Sequence, residues 1–287
     1  MNTRNMVLAI LMVWGSMAAY GLGRIEMTAP DPVTESYSTI AGVEVDRSVA
    51  LSVGGSFDRN YEVGFSAGSS GDIQSRHLTG PEETIPYDLL DNRTNQNLLT
   101  DIDDGGTLLS GTIPAGTRVE ESFVVRIAPD RLPAAGTYAD TVTVSAYDAF
   151  GGVQSQATLS IVLEVATALQ LTVSTNDIDL GELMDGTTGV VNLIVQANAS
   201  YGIELSSPYN EWRMAHADET ISSYVPYRLR LGTQNLDMNN PAIVVPGFQR
   251  TLLPGREHQL DIIVGSTDKA MSGPHSDVIE ITVTANQ

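Results

Sequence analysis

The sequence is dominated by short runs in which apolar and polar residues alternate. Alternation of this kind predicts β-strands that bury one face and expose the other. In the first half such runs read VALSVG, YEVGFS, SFVVRIA and DTVTVSAY; in the second they read GVVNLIVQA, YGIELS, HQLDIIV and DVIEITVTA. Turn-forming residues separate the runs, and we find no convincing amphipathic helix. Several short strands in each half predict an all-β fold built from immunoglobulin-like β-sandwiches.

Matching landmarks in the two halves indicate an internal duplication. Tyr61 and Tyr201 each open a strand, and 26 residues later each is followed by a tyrosine preceded by proline, Tyr87 or Tyr227. The landmarks continue in order with Gly116 and Gly255, Gly136 and Gly273, and Asp140 and Asp277. The offset between the halves falls only from 140 to 137. We therefore predict two tandem domains, residues 24–166 and 167–287.

Charge, cysteine content and the first residues narrow the possible functions. The 287-residue chain has a formal net charge of −20, which argues against nucleic acid and anionic membranes as partners. It contains no cysteine, so no disulfide supports the fold. Residues 1–23 combine Arg4, a short apolar run and small residues, as secretory signal peptides do. We expect an exported protein cleaved between about residues 19 and 25; the alternative is an uncleaved anchor.

The sequence offers little that could support catalysis. His77, His216, His258 and His275 lack metal-ligand spacing, and we expect them at the surface. No Gly-x-Ser-x-Gly motif or phosphate-binding loop is present. Residues 101–106, DIDDGG, are similar to part of a calcium loop but lack its closing glutamate, so they form either a solvated turn or a calcium site. We predict a non-enzymatic protein without a cofactor or resident metal.

Several motifs resemble those of the spore-coat-protein-U-like pilin domain. They are TNDIDLGELMDG, YGIELSS, VPYRLRL, LPG and SGPHSDVIEITVTA, and the resemblance is clearest over residues 169–287 and looser over residues 33–165. The chain departs from the pattern in having no cysteine, and its first half has no clear counterpart of LGELMDG. That family builds archaic chaperone–usher pili on Gram-negative bacteria. The resemblance implies incomplete sandwiches that are finished by a strand from another chain.

The two halves differ in the chain beyond their closing strands. Residues 277–285 are followed by only two residues, so we expect the second domain to lack its final strand. Its acceptor edge would comprise Val278, Ile279, Ile281 and Val283. In the first half the turn AFGG leads into residues 153–165, VQSQATLSIVLEV, where Ala157, Leu159, Ile161, Leu163 and Val165 alternate with mostly polar residues. We predict that this run completes the first domain; the alternative is that it opens the second.

The mature N-terminus makes a poor donor strand, because Pro30 and Pro32 interrupt a weak apolar alternation. A subunit that accepts a strand without donating one ends a polymer, so the resemblance implies a two-domain tip adhesin. The returning strand places residues 147–154 at the free end, with residues 54–60 and part of residues 91–116. We predict surface binding by apolar residues of these loops; the alternative is that they fold onto the core. They are Phe57, Phe150, Leu98, Leu99, Leu108 and Leu109.

The resemblance also implies partners and a location. We expect a periplasmic chaperone, an outer-membrane usher, an adjacent pilin subunit that donates a strand, and an abiotic or host surface. The protein would pass through the periplasm to the fimbrial tip and support adhesion and biofilm formation. Two alternatives are a structural coat or sheath protein, and a carbohydrate-binding adhesin that uses polar residues of the same loops.

Overall fold

The computed structural model describes residues 24–37, 44–98, 108–128, 132–208 and 211–286. Apart from two short 3-10 helices, its regular structure consists of β-strands, which confirms the predicted all-β class. The described residues include no helix long and apolar enough to cross a bilayer.

The first half of the chain forms a sandwich of two sheets around one apolar core. Its elements are β1 (Ile25–Thr28), β2 (Val33–Tyr37), β3 (Val45–Gly55), β4 (Arg59–Phe65), two 3-10 helices (Gly68–Ser70 and Ile73–Ser75), β5 (His77–Thr79), β6 (Thr84–Pro86), β7 (Asp88–Asp91), β8 (Leu109–Ile113), β9 (Thr117–Ile127), β10 (Gly136–Asp148) and β11 (Val153–Val165). One sheet has the order β1-β3-β9-β7; the other has the order β2-β11-β10-β4-β8 and also holds β5 and β6. We call this unit the first sandwich.

The second half forms another sandwich, which repeats part of this arrangement. Its strands are β12 (Leu169–Val173), β13 (Thr188–Ala197), β14 (Tyr201–Ser206), β15 (Arg213–His216), β16 (Tyr224–Leu231), β17 (Gln234–Asn235), β18 (Ala242–Phe248), β19 (Arg256–Val264), β20 (His275–Ser276) and β21 (Glu280–Ala285). One sheet has the order β12-β13-β19-β16-β15-β20, with β17 beside β16, and the other has the order β18-β14-β21. We call this unit the second sandwich.

Each sandwich buries its own apolar core, because alternate residues of its strands point inward. The first core includes Phe65, Phe123 and Leu163, and the second includes Leu193, Ile203 and Leu229. No residue of the described chain belongs to both cores. Two separate cores explain why the chain shows two sets of sequence landmarks.

The landmarks of the duplication occupy equivalent places in the two sandwiches. Tyr61 lies opposite Asp148 in the β4–β10 pair, and Tyr201 lies opposite Ala285 in the β14–β21 pair. Gly136 and Gly273 open the closing strands with φ angles of 146° and 139°, which favour glycine. The predicted repeat therefore corresponds to a repeated three-dimensional arrangement.

A short linker joins the sandwiches and is held by one asparagine. Asn198 donates a hydrogen bond from its Nδ2 to the carbonyl of Ala166 (2.9 Å) and accepts one from the Ala168 N–H through its Oδ1 (2.8 Å). Arg250 of the second sandwich pairs with Glu82 (3.2 Å) and Glu83 (2.6 Å) of the first. These contacts connect the end of β11 directly to the start of β12.

Candidate functional site

The closing strands of the two sandwiches have different neighbours. β10 lies between β4 and β11, and its antiparallel pairing with β11 runs from Gly136–Val165 to Tyr147–Val153. β11 in turn pairs in parallel with β2. In the described chain, β21 pairs with β14 alone, so one of its edges is free. An unpaired edge presents backbone N–H and C=O groups to which another strand can bind.

Two independent contacts establish which residues of β10 and β21 correspond. Asp148 and Ala285 face the matched tyrosines in their sheets. The hydroxyl of Tyr87 donates to Asp140 Oδ2, and that of Tyr227 donates to Asp277 Oδ2, both at 2.6 Å. Either contact gives an offset of 137 residues. Val142, Val144 and Ala146 therefore correspond to Ile279, Ile281 and Val283.

These corresponding residues differ in burial. Val142, Val144 and Ala146 are 0% exposed. Ile279, Ile281 and Val283 pack against the second core but stay only partly buried. The difference arises from β11, which covers the first set and has no counterpart beside the second among the described strands. The predicted acceptor edge is thus an edge whose inward side chains lack cover.

Beside this edge, an open groove of about 1020 Å³ reaches the second core. One wall carries Ile279 and Ile281 of the closing run, and the other carries Ile178, Leu180 and Leu183 of the segment after β12. We call residues 177–183 the flanking segment. It comes after β12 in the chain as β2 comes after β1. The groove therefore occupies the place that β11 fills in the first sandwich, between the closing strand and this flank.

The closing run is also less regular in the second sandwich. β10 is continuous over 13 residues. In the equivalent run, β20 pairs with β15 and β21 pairs with β14, while residues 277–279 belong to no strand. Val278 lies in this interruption and is exposed, so its side chain points away from the groove. The predicted acceptor edge is thus split and lacks the neighbour that keeps β10 continuous.

Buried tyrosine–carboxylate pairs hold both closing runs against their cores. Burial, and then the hydrogen bond to Asp140, raises the pKa of the Tyr87 hydroxyl. Burial and the bond to Asp277 do the same to the pKa of Tyr227. Asp277 also accepts a hydrogen bond from Ser207 Oγ (2.8 Å). These aspartates thus anchor backbone runs, which accounts for the repeated Gly-x-x-x-Asp pattern without any catalytic role.

The opposite feature of the first sandwich is an exposed end formed by three turns. The β3–β4 turn holds Phe57, and the β10–β11 turn holds Phe150. They lie at the same end, because the start of β4 pairs with the end of β10. The β8–β9 turn joins them through a hydrogen bond from the Ala115 N–H to Asp58 Oδ1 (2.7 Å). We call this surface the three-turn end.

Two phenylalanines and a valine expose apolar surface at this end. Phe150 is 97% exposed, Phe57 53% and Val153 51%. The Asp148 carboxylate accepts hydrogen bonds from the backbone N–H groups of Phe150 and Gly152, both at 2.9 Å, and so fixes the turn. Phe150 is therefore presented to solvent on a turn that is already ordered. Sequence reasoning missed Val153, because its alternation suggested only a strand.

The four predicted leucines do not join this surface. The prediction is wrong for Leu98 and Leu109, which are 0% exposed: Leu98 is bonded through its N–H to the carbonyl of Leu89, and Leu109 begins β8. Leu108 is partly buried. Leu99 and residues 101–106 lie outside the described residues. The leucines lie where the chain enters and leaves a loop, and strand pairing turns two of them inward.

One histidine also differs from the surface position expected for it. His258 is buried in β19, with its Nε2 2.7 Å from the hydroxyl of Tyr201. Burial, with a smaller contribution from Arg256, lowers the pKa of His258. In the described part of the chain, no cluster of histidine, aspartate or glutamate residues is suited to hold a metal ion.

Comparison with known proteins gives one family match. Residues 16–145 match the Spore Coat Protein U domain, which confirms the predicted resemblance. The match covers the half in which we expected the looser resemblance, and it ends within β10, before β11 begins. No curated protein matches the chain.

Several solved structures of pilus proteins are similar to the chain at low identity. The chaperone–tip subunit complex CsuC–CsuE of Acinetobacter baumannii is 14% identical, covers 91% of this chain and 99% of that one, and has a TM-score of 0.46. The CupB6 tip adhesin of Pseudomonas aeruginosa is 11% identical, with coverages of 91% and 93% and a TM-score of 0.40. The CFA/I adhesin CfaE of enterotoxigenic E. coli is 11% identical, with coverages of 90% and 92% and a TM-score of 0.42.

Proposed function

We propose that this chain, whose first half carries a Spore Coat Protein U domain, is a non-enzymatic tip subunit of a chaperone–usher pilus. Residues 1–23 would direct export, residues 24–166 would bind the target surface, and residues 167–287 would join the fibre. The partners are a periplasmic chaperone, an outer-membrane usher and a neighbouring pilin subunit whose strand fills the groove. The protein would act at the cell surface in adhesion and biofilm formation.

One observation carries the proposal: equivalent residues of the two sandwiches are covered in one and uncovered in the other. Val142 and Val144 lie under β11, whereas Ile279 and Ile281 line an open groove. Apolar surface left in contact with water costs free energy, which a strand with inward apolar residues would recover. The groove with the free edge of β21 is therefore suited to accept such a strand.

The N-terminal residues support a subunit that accepts a strand without donating one. Ile25–Thr28 pair with β3, and Val33–Tyr37 pair with β11. Ile25, Val33 and Tyr37 belong to the first core. Releasing these residues to serve another subunit would break up the first sandwich. This favours a place at the end of a fibre over one within it.

The groove can be tested by giving the second sandwich a copy of β11. The sequence of residues 149–165 is joined after Ala285, which reproduces the β10–β11 hairpin in the equivalent register. The four buried residues of β11 are Leu159, Ile161, Leu163 and Val165. Burying each contributes about 1.5–3 kcal/mol, so the second sandwich should gain several kcal/mol of stability.

The readout is the fluorescence of Trp212, the only tryptophan beyond residue 23. A control extension carries serine in place of the four buried residues and should give no gain. If the apolar extension leaves the urea midpoint of the Trp212 transition where the control leaves it, the groove is no acceptor site.

The three-turn end can be tested by replacing both phenylalanines with serine. Phe57→Ser with Phe150→Ser should reduce attachment of assembled pili to polystyrene, because the exposed rings supply apolar contact. Folding should stay unchanged, since neither ring belongs to the core. Val244→Ser, at an exposed position of the second sandwich, is the matched control. Unchanged polystyrene binding with gain or retention of binding on a glycan panel would instead favour a carbohydrate-binding adhesin.

A further inference from the structure

The flanking segment presents carboxylates along one rim of the groove. Ile178 and Leu180 face the core, while Asp177, Asp179 and Glu182 are exposed beside them. Asp179 also accepts a hydrogen bond from the Gly181 N–H (2.8 Å). None of these three carboxylates forms an ion pair within the described residues. The rim therefore combines an apolar inner face with an acidic outer face.

The opposite rim adds another carboxylate, and no cation lines the groove to balance them. Glu280 points outward from β21. Among the described residues that line the groove, none is lysine or arginine. The fourth lining carboxylate, Asp277, is already bonded to Tyr227 and Ser207. A strand that enters the groove would thus lie between two acidic rims.

The first sandwich shows how such a strand would be oriented. β11 runs antiparallel to β10, with Ala157 opposite Val144, Leu159 opposite Val142 and Ile161 opposite Asp140. With the offset of 137 residues, the incoming strand would place a small residue opposite Ile281 and larger apolar residues opposite Ile279 and Asp277. Its intervening residues would point outward between the rims.

The equivalent rims of the first sandwich are neutral. β11 lies between Thr34 and Ser36 of β2 and Thr141 and Thr143 of β10. Its own outward residues are accordingly almost all uncharged: Gln154, Gln156, Thr158, Ser160, Val162 and Glu164. The acidic rim therefore distinguishes the open groove from the filled one in the same chain.

We propose that the strand received by this groove is cationic on its outward face. This inference rests on the proposed function and adds the chemistry of the partner: alternating apolar residues in the β11 register, with lysine or arginine at the outward positions. Opposite charges placed across neighbouring strands attract, and like charges repel. The groove would consequently select basic donor segments and reject acidic ones.

Three peptides with the sequence of β11 test this selection. They carry lysine, glutamine or glutamate at the outward positions 158, 162 and 164 and share all inward residues. Position 158 would lie opposite Glu280, and positions 162 and 164 beside the flanking segment. Binding to the full chain without residues 1–23 is measured by fluorescence anisotropy of labelled peptides.

The lysine peptide should bind at least about ten-fold more tightly than the glutamate peptide at low salt, because each cross-strand charge pair changes affinity by a factor of about 1.4 to 5. The difference should shrink in about 1 M salt, where the Debye length is near 3 Å. The variant Asp177→Asn, Asp179→Asn, Glu182→Gln, Glu280→Gln should lose the preference while binding the glutamine peptide as before.

The outcomes separate this inference from the function on which it rests. If the glutamine peptide binds and the lysine and glutamate peptides bind equally, the groove accepts strands without regard to charge, and the inference is wrong. If the preference persists in the neutral variant, the rim is not its cause, and the inference is again wrong. If no peptide binds, both the acceptor groove and its charge selection are refuted.

Discussion

Replacing one inward residue of β11 tests whether this strand belongs to the first sandwich. Ile161 lies opposite Asp140 in β10 and beside Val33 in β2, and its side chain is fully buried. Ile161→Ala removes buried methyl and methylene groups and leaves a cavity. Losses of about 2–5 kcal/mol are typical for this change in a well-packed core. That is a large part of a domain's whole stability of about 5–15 kcal/mol.

Two optical signals separate the sandwiches in this experiment. Circular dichroism follows the β-structure of both, whereas the fluorescence of Trp212 reports the second alone once residues 1–23 are removed. Ile161→Ala should lower the urea midpoint of the first-sandwich transition seen by circular dichroism and leave that of Trp212 in place. Ser160→Ala, on the outward face of the same strand, should change the free energy of unfolding by less than about 0.5 kcal/mol.

The result that would refute this reasoning is a shift of the Trp212 transition. If Ile161→Ala destabilises the second sandwich as much as the first, β11 contributes to the second fold. The alternative interpretation of residues 153–165, as the opening strand of the second domain, would then be correct. A loss below about 1 kcal/mol in both transitions would mean that β11 adds little to either core.

Two further predictions concern the second sandwich. Because the pKa of His258 is lowered in the folded state, the unfolded chain binds its proton more readily, so stability should fall as the pH drops below about 6.5. His258→Gln should flatten this dependence of the Trp212 urea midpoint between pH 7.5 and 5, and an unchanged slope would assign it to other groups. Gly273→Ala should destabilise by at least about 1–3 kcal/mol, because φ is 139° and the new Cβ would lie 2.2 Å from His216 Nε2. Gly181→Ala, with φ of 63° and open space around the new Cβ, should cost less, and equal losses in thermal unfolding would contradict the clash.

Alternation and turn chemistry predicted much of the fold because they record local geometry. The run from Ala157 to Val165 alternates strictly, and its inward residues are those that the first core buries. AFGG predicted the turn before it, where Asp148 caps the backbone. The spacing of Tyr87 and Tyr227 predicted the repeat because each tyrosine must reach a fixed aspartate.

The errors arose where long-range pairing decides burial. Leu109 seemed part of a loop, but it pairs with Val63 and so points inward. Conversely, the flanking segment was recognised only as a family motif, although it supplies a wall of the groove. Its role depends on the free edge of β21, over 100 residues away in the chain, which no local pattern reveals. His258 was misassigned for the same reason, since its partner Tyr201 lies 57 residues away.

The route of β11 determines how the first sandwich would resist a pulling force. The strand begins at the turn that holds Phe150 and ends at the linker to β12, so a load applied between a bound surface and the fibre would act along its length. Hydrogen bonds of an antiparallel pair lie across the strands, so a lengthwise load shears them together and does not peel them one at a time. Such a strand fails only when many bonds give way at once. The same pairing that completes the fold would therefore make the first sandwich mechanically strong in the direction in which an attached cell pulls.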